Sequence, residues 1–401
     1  MTIAAPSLRQ RIAPGHDAIR VMVVDDAIVV RGLLVRWIEA EAGLQVVASL
    51  RSGREAIEQV ERTNPDVVIL DVDMPDIDGI TALPLLFEKK PDLVVIMSST
   101  LTRRNAEVSL RALSLGAADY IPKPESTREI TNSTSFRRDL IEKIRALGAR
   151  RKQRLNSARA LPWAVPAVRP VPIGDHASGA GPRQVASLDT APAPDAVTFK
   201  LRPLPSMPPR VLLIGSSTGG PQALGSIVGR ISGVIDQAPV LITQHMPPTF
   251  TTILAEILER TCARPVHEAI DGEALRAGAI YIAPGGRHLR VVRRDGVPSV
   301  AIDDGPQINF CKPAVDPMFS SAAETWGSWN LALILTGMGS DGTRGAADVV
   351  AAGGSVIAQD EETSVVWGMP GSVAKAGLCS AVLPIDQIAA KLTSLFSGCR
   401  S

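Results

Sequence analysis

Short apolar runs alternate with stretches of helical period along most of this chain. In the first part, Arg20–Val24, Gln45–Ser49, Val67–Leu70, Leu93–Met97 and Tyr120–Ile121 are predicted strands. The segments between them, such as Ala27–Ala42 and Arg54–Thr63, carry apolar positions at helical spacing. From Arg210 the same rhythm returns. Val211–Gly215, Val240–Gln244, Ala279–Ala283, Leu331–Thr336 and Ser355–Gln359 are predicted strands, and Gln222–Ile231, Phe250–Cys262 and Thr343–Ala352 are predicted helices. Near-continuous apolar strands alternating with helices predict parallel sheets covered on both faces. The expected class is α/β, with two doubly wound domains at 19–147 and 209–396 and no short internal repeat. Residues 1–18 break the rhythm and are expected to be a disordered tail. Residues 148–208 begin with the basic cluster Arg150–Arg154 and continue rich in Pro, Ala, Ser and Gly; no helix or strand period is legible there, which predicts a linker.

Composition narrows the function classes. A hydrophobic fraction of 45% with 21% charged residues describes an ordinary soluble globular protein. Lys+Arg 42 against Asp+Glu 41 leaves no global field for nucleic acid or anionic membrane. Aromatics at 3% mean that the cores must be built from Val, Ile, Leu and Ala. Cys262, Cys311, Cys379 and Cys399 are scattered without a C-x-x-C pair, which argues against a disulfide framework or a zinc site and fits a reducing compartment. No apolar run reaches membrane-spanning length, and the first twenty residues lack the apolar stretch of a signal peptide. A cytoplasmic protein without membrane insertion is expected.

Chemistry-bearing residues fall at the predicted strand ends. Asp25 and Asp26 follow the first strand, Asp71 the third, Ser98 the fourth and Lys123 the fifth. In open parallel sheets, ligands bind beyond the carboxyl ends of the strands, so these side chains should converge at one rim. Clustered carboxylates need a cation, and hard oxygen ligands suit Mg²⁺. Each aspartate alone has an ordinary reading as a helix cap or turn residue. Their joint placement is what points to a site. This pattern, with Val72-Asp73-Met74-Pro75, Asp78-Gly79 and Lys123-Pro124, resembles the receiver domain of two-component systems over about Arg20–Arg145. The resemblance implies a flavodoxin-like fold with Asp71 as phosphoryl acceptor and a histidine kinase as donor. It also implies Mg²⁺ on Asp26, Asp71 and the Asp73 carbonyl, with Asp25 helping through water. Ser98 and Lys123 would sense the phosphoryl oxygens, and Tyr120 occupies the aromatic switch position.

In the second part, Gly215-Ser216-Ser217-Thr218-Gly219 matches G-x-S-x-G between a predicted strand and helix. A serine at such an elbow needs a base. His245 follows the strand Val240–Gln244 directly, with His288 in a Gly-Gly-Arg-His turn as its competitor. Asp341 follows Leu331–Thr336 in a glycine-rich loop and is the candidate orienting acid. The order Ser, His, Asp is not that of α/β-hydrolases, so the elbow does not license that fold. Neither phosphate-loop spacing is present to make the glycines a nucleotide cradle. At Ile214–Pro221, Gln244-His245-Met246-Pro247-Pro248, Tyr281–Gly286 and Leu335–Gly345, the sequence resembles the catalytic domain of the chemotaxis methylesterases over about Pro209–Ile388. The resemblance implies a methylesterase-type α/β domain using Ser217, His245 and Asp341, with the Met338 N–H at the oxyanion. It further implies hydrolysis of glutamate methyl esters and deamidation of glutamines on chemoreceptors, with no cofactor for that chemistry, and inhibition by a docked receiver domain. A DNA-binding output would need a helix-turn-helix and a basic reading surface, and neither is legible.

Overall fold

The computed structural model describes residues 18–124, 134–160, 200–204 and 207–398. The predicted tail up to residue 17, and the predicted linker from 161 to 199, lie outside the described residues.

The first domain holds five parallel strands, β1 (Ile19–Val24), β2 (Leu44–Leu50), β3 (Val67–Asp71), β4 (Val94–Thr100) and β5 (Asp119–Lys123), in the order β2-β1-β3-β4-β5. The helices are α1 (Ile28–Glu39), α2 (Gly53–Thr63), α3 (Gly79–Lys89), α4 (Arg103–Ser114) and α5 (Thr134–Ala160). Val67 to Leu70 are wholly buried because helices cover both faces of the sheet, which is why the strand is apolar at successive positions. Ser52, Asp78 and Thr102 fix three helix starts, each side chain accepting the N–H three residues on.

Helix α5 corrects the reading from sequence, since it continues through Gly148 to Ala160 where a linker was expected. Its basic cluster is held by acids rather than left to solvent. Arg151 pairs with Asp66 and Asp92, and Arg150 reaches Glu361 of the second domain. Such tertiary pairing has no signature in local periodicity.

The second domain is a seven-stranded parallel sheet ordered β14-β13-β12-β6-β7-β9-β8. Its strands are β6 (Val211–Ser216), β7 (Val240–Gln244), β8 (Val266–Glu268), β9 (Ile280–Ile282), β12 (Asn330–Ile334), β13 (Ser355–Gln359) and β14 (Ala381–Leu383). A separate antiparallel hairpin, β10 (His288–Arg294) with β11 (Val297–Asp303), was not legible beforehand. The helices are α6 (Gly220–Val228), α7 (Ser232–Ile235), α8 (Phe250–Cys262), α9 (Val315–Trp326), α10 (Thr343–Ala351), α11 (Met369–Lys375) and α12 (Ile385–Phe396). Strand β12 stops two residues short of the predicted Thr336. There the backbone N–H turns to the Gln359 side chain and the hydroxyl donates to the Thr218 carbonyl.

From β6 the chain runs to β7 on one side and later returns through β12 on the other. This reversal is a topological switch point, where a crevice opens beyond the strand ends. The two domains also pack on each other. Helix α4 lies against α6 and α8, and one apolar cluster includes Leu110 and Tyr120 of the first domain with Phe250 and Leu254 of the second.

Candidate active site and phosphorylation site

The rim of the first sheet brings its acidic residues together as expected. Asp25, Asp26 and Asp71 each offer an oxygen within 4.8 Å of the others. Lys123 Nζ lies 2.8 Å from both Asp25 Oδ2 and Asp71 Oδ1. Burial pushes the Asp71 carboxyl up to about 6; Lys123 pulls it down and Asp25 adds to the rise. Burial opposes the Lys123 charge, yet Asp71 and Asp25 together raise its pKa. One ammonium for three carboxylates leaves a negative, oxygen-only donor set that fits Mg²⁺. The buried Ser98 Oγ has no hydrogen-bond partner among the described residues, which leaves its hydroxyl able to donate to an acceptor at this rim. The Asp73 carboxylate accepts a hydrogen bond from Asn105 Nδ2 at 2.6 Å. Tyr120 is buried and stacks on Phe250 of the second domain, centroids 4.5 Å apart.

In the second domain the elbow is built by its neighbours. Gly219 takes φ 74°, a left-handed turn that suits glycine, so that α6 can begin at once. Ser217 donates its N–H to the Thr336 carbonyl at 3.1 Å. Gln244, which the reading from sequence missed, accepts the Ser216 hydroxyl at 2.6 Å and donates to the Ser217 carbonyl at 2.9 Å. His245 follows on the neighbouring strand, its N–H bonded to the Ser216 carbonyl at 3.1 Å. The serine and the histidine therefore leave adjacent strands at one level.

Asp341 Oδ2 lies 2.7 Å from His245 Nε2. The carboxylate also accepts backbone N–H groups from Val315 at 2.6 Å, Asp316 at 3.2 Å and Gly342 at 2.8 Å. Val315 and Asp316 open α9, whose N-terminus favours negative charge. Burial alone would raise the Asp341 pKa, but His245 and these N–H groups outweigh it and hold it low.

The link from the imidazole to Ser217 is not closed. Among the described residues the Ser217 hydroxyl makes no hydrogen bond, and His245 Nδ1 lies instead 3.3 Å from Cys311 Sγ. No sequence signal placed Cys311 here; it arrives on the loop between β11 and α9. Burial disfavours the imidazolium, but Cys311 and Asp341 prevail and lift His245 to about 10. The competitor His288 opens β10, not a turn. It is buried with both nitrogens satisfied by backbone, Nε2 by the Pro306 carbonyl and Nδ1 by the Ala314 N–H. It has no nitrogen left to act as a base.

Met338 follows Gly337, where a Cβ would come 2.9 Å from Ser217 Cβ, and its N–H makes no hydrogen bond among the described residues. The Met338 side chain packs with Val365 and Val366 against the apolar cluster of the first domain. The receiver-like domain reaches the elbow itself. Asp119 Oδ2 accepts from Thr218 Oγ1 at 2.8 Å and pairs with Lys143 at 2.6 Å. Gln222 Nε2 donates to the Ala117 carbonyl at 3.0 Å, and Arg103 pairs with Glu256 at 2.7 Å.

Known proteins match the chain in both of its domains. Residues 212–392 match the family model described as CheB methylesterase, and residues 21–135 match the response regulator receiver domain. The chain is 58% identical over 401 residues, all of both chains, to a protein-glutamate methylesterase/protein-glutamine glutaminase of Rhodopseudomonas palustris (strain BisB5). It is 59% identical over 383 residues, 96% of this chain and 95% of the other, to one of a group 2 operon in Bradyrhizobium diazoefficiens. Among solved structures, the Thermotoga maritima CheB methylesterase catalytic domain shares 45% identity, covering 47% of this chain and 98% of that one with a TM-score of 0.45. The chain belongs to the protein-glutamate methylesterase/protein-glutamine glutaminase family, with a receiver domain ahead of its methylesterase domain.

Proposed function

We propose that this protein hydrolyses glutamate γ-methyl esters on chemoreceptors, and deamidates their glutamines, under control of phosphorylation at Asp71. The observation that carries the reading is the His245–Asp341 pair, 2.7 Å apart, beside the Ser217 elbow at the switch point of the sheet. Ser217 would be the nucleophile. His245 would turn from Cys311, take the hydroxyl proton as Oγ attacks the carbonyl, and return it to departing methanol or ammonia. The free N–H of Met338 suits the oxyanion. Water then releases glutamate from the acyl-enzyme with the same base. Asp341 is a positioning residue, fixing the imidazole tautomer.

Control would run along one short strand. Strand β5 carries Lys123 at the phosphorylation site, Tyr120 against Phe250, and Asp119 on the Thr218 hydroxyl. A phosphoryl group from a histidine kinase would draw Lys123 and Ser98 to its oxygens and so loosen the contacts at the other end. Asp26, Asp71 and the Asp73 carbonyl would hold Mg²⁺, with Asp25 acting through water. When bound, the ion neutralises the charge that gathers there on phosphorylation. No helix among the described residues is long and apolar enough to cross a membrane, and a cytoplasmic site of action completes the proposal.

The test is release of labelled methanol from methylated receptors, with and without a small-molecule phosphodonor. Ser217→Ala should abolish it; turnover near that of the parent would remove Ser217 as the nucleophile.

A further inference from the structure

Cys311 stands 3.3 Å from the imidazole, yet ester hydrolysis has no use for a thiol. Its position is well fixed. Ile308 and Cys311 exchange backbone hydrogen bonds of 3.1 and 2.8 Å, closing a tight loop. Asn309 and Phe310 within it take φ of 50° and 63°. Phe310 at the loop tip receives the Arg138 guanidinium 3.9 Å from its ring centroid, which ties the loop to α5 of the receiver domain. One donor atom from each of His245, Cys311 and Asp341 lies within 4.8 Å of the others. Among the described residues, the other such group is the carboxylate cluster of the receiver site.

We propose that Cys311 and His245 form a binding site for a thiophilic divalent cation, with zinc the best match, and that the occupied site withholds the base from Ser217. Zinc takes sulfur at about 2.3 Å and imidazole nitrogen at about 2.0–2.1 Å, so a tetrahedral ion spans an S···N edge of roughly 3.5 Å. The observed 3.3 Å needs to open only slightly. Asp341 on the far nitrogen supplies the carboxylate–histidine arrangement that orients imidazole ligands in metal sites. Solvent fills the remaining positions, since His245 and Cys311 are only partly buried. Binding releases to water the one proton shared by the Cys311 Sγ–His245 Nδ1 pair, so that thiolate and Nδ1 lone pair both face the ion, with no change of oxidation state. A sulfur–nitrogen pair rejects Mg²⁺, so the chain sorts two cations by hardness: oxygen donors on the receiver, soft donors at the esterase. The binding half stands on geometry alone, and the inhibitory half rests on His245 being the base.

The experiment uses the full chain with Mg²⁺ present throughout. Co²⁺, as a spectroscopic substitute for zinc, should give a thiolate-to-cobalt charge-transfer band that survives Ser217→Ala and disappears in Cys311→Ser. On the unaltered protein, Zn²⁺ should slow alkylation of Cys311 by iodoacetamide, read by peptide mass spectrometry, with buried Cys262 and Cys379 as internal comparisons. Zn²⁺ should also inhibit methanol release in a saturable, chelator-reversible way, and Cys311→Ser should raise the half-inhibiting concentration by about tenfold or more. Absence of the band together with unprotected Cys311 would overturn the site. Binding without inhibition would overturn the inhibitory half and count against His245 as the base.

Discussion

A Cβ at Gly220 would lie 1.9 Å from Gln244 Oε1 and 2.9 Å from Ser216 Cβ. That amide is not free to move, because its oxygen accepts from Ser216 and its nitrogen donates to the Ser217 carbonyl. Gly220→Ala should therefore lose about 1–3 kcal/mol of stability, measured by denaturant unfolding, and lower esterase activity by displacing the elbow. Asp341→Asn keeps the shape but loses the charge that selects the tautomer. A fall in kcat of about 10²–10⁴ is expected with little change in KM, read from methanol release. An equal loss confined to KM would show that Asp341 serves substrate binding instead. The candidates Ser217, His245 and Asp341 were legible in the sequence because each lies just beyond a predicted strand, His245 directly after Gln244, Ser217 two residues past Gly215 and Asp341 in the glycine-rich loop after Thr336. Gln244 and Cys311 were not: Gln244 ends a strand with nothing local to show its partners, and Cys311 lies on a loop whose path is set by distant packing.

Among the elements, β5 and α5 tie the domains together. Asp119 satisfies Thr218, Lys143 and the Tyr120 N–H at once. Asp119→Ala should loosen this seam, raising esterase activity of the unphosphorylated chain and shrinking the activation given by a phosphodonor. Unchanged activity in both states would show that the contact is passive. Arg151 on α5 has a side chain only 9% exposed and pairs with Asp66, which is 10% exposed. Arg151→Ala strands a mostly buried carboxylate and should cost about 3–5 kcal/mol, checked by thermal or denaturant unfolding of the full chain. The helical extension carrying Arg151 was misread as linker, since alanines and arginines without an apolar stripe give no amphipathic period. Its mates Asp66 and Asp92 are remote in sequence.

For the molecule as a whole, the docked receiver domain and the Cys311-facing imidazole belong to one arrangement, which we propose is the restrained state. Asp71→Asn should leave basal methanol release intact and remove its stimulation by a phosphodonor. Stimulation that persisted would place the control elsewhere. The apolar seam formed by Tyr120, Phe250 and Leu254 makes the restraint a packed interface rather than a tether. Such interfaces switch between discrete arrangements instead of deforming gradually.

Order along the chain was enough to establish two parallel α/β domains and to align carboxylates, serine, histidine and aspartate at strand ends. The period of apolar residues fixes which segments are strands, and parallel topology sends every strand end to the same rim. Only the tertiary structure decided which nitrogen of His245 faces Asp341, that Cys311 takes the other, and that Asp119 grips the elbow. These contacts join residues from 66 to 99 positions apart, and side chains that meet only after packing leave no periodic trace in the chain that carries them.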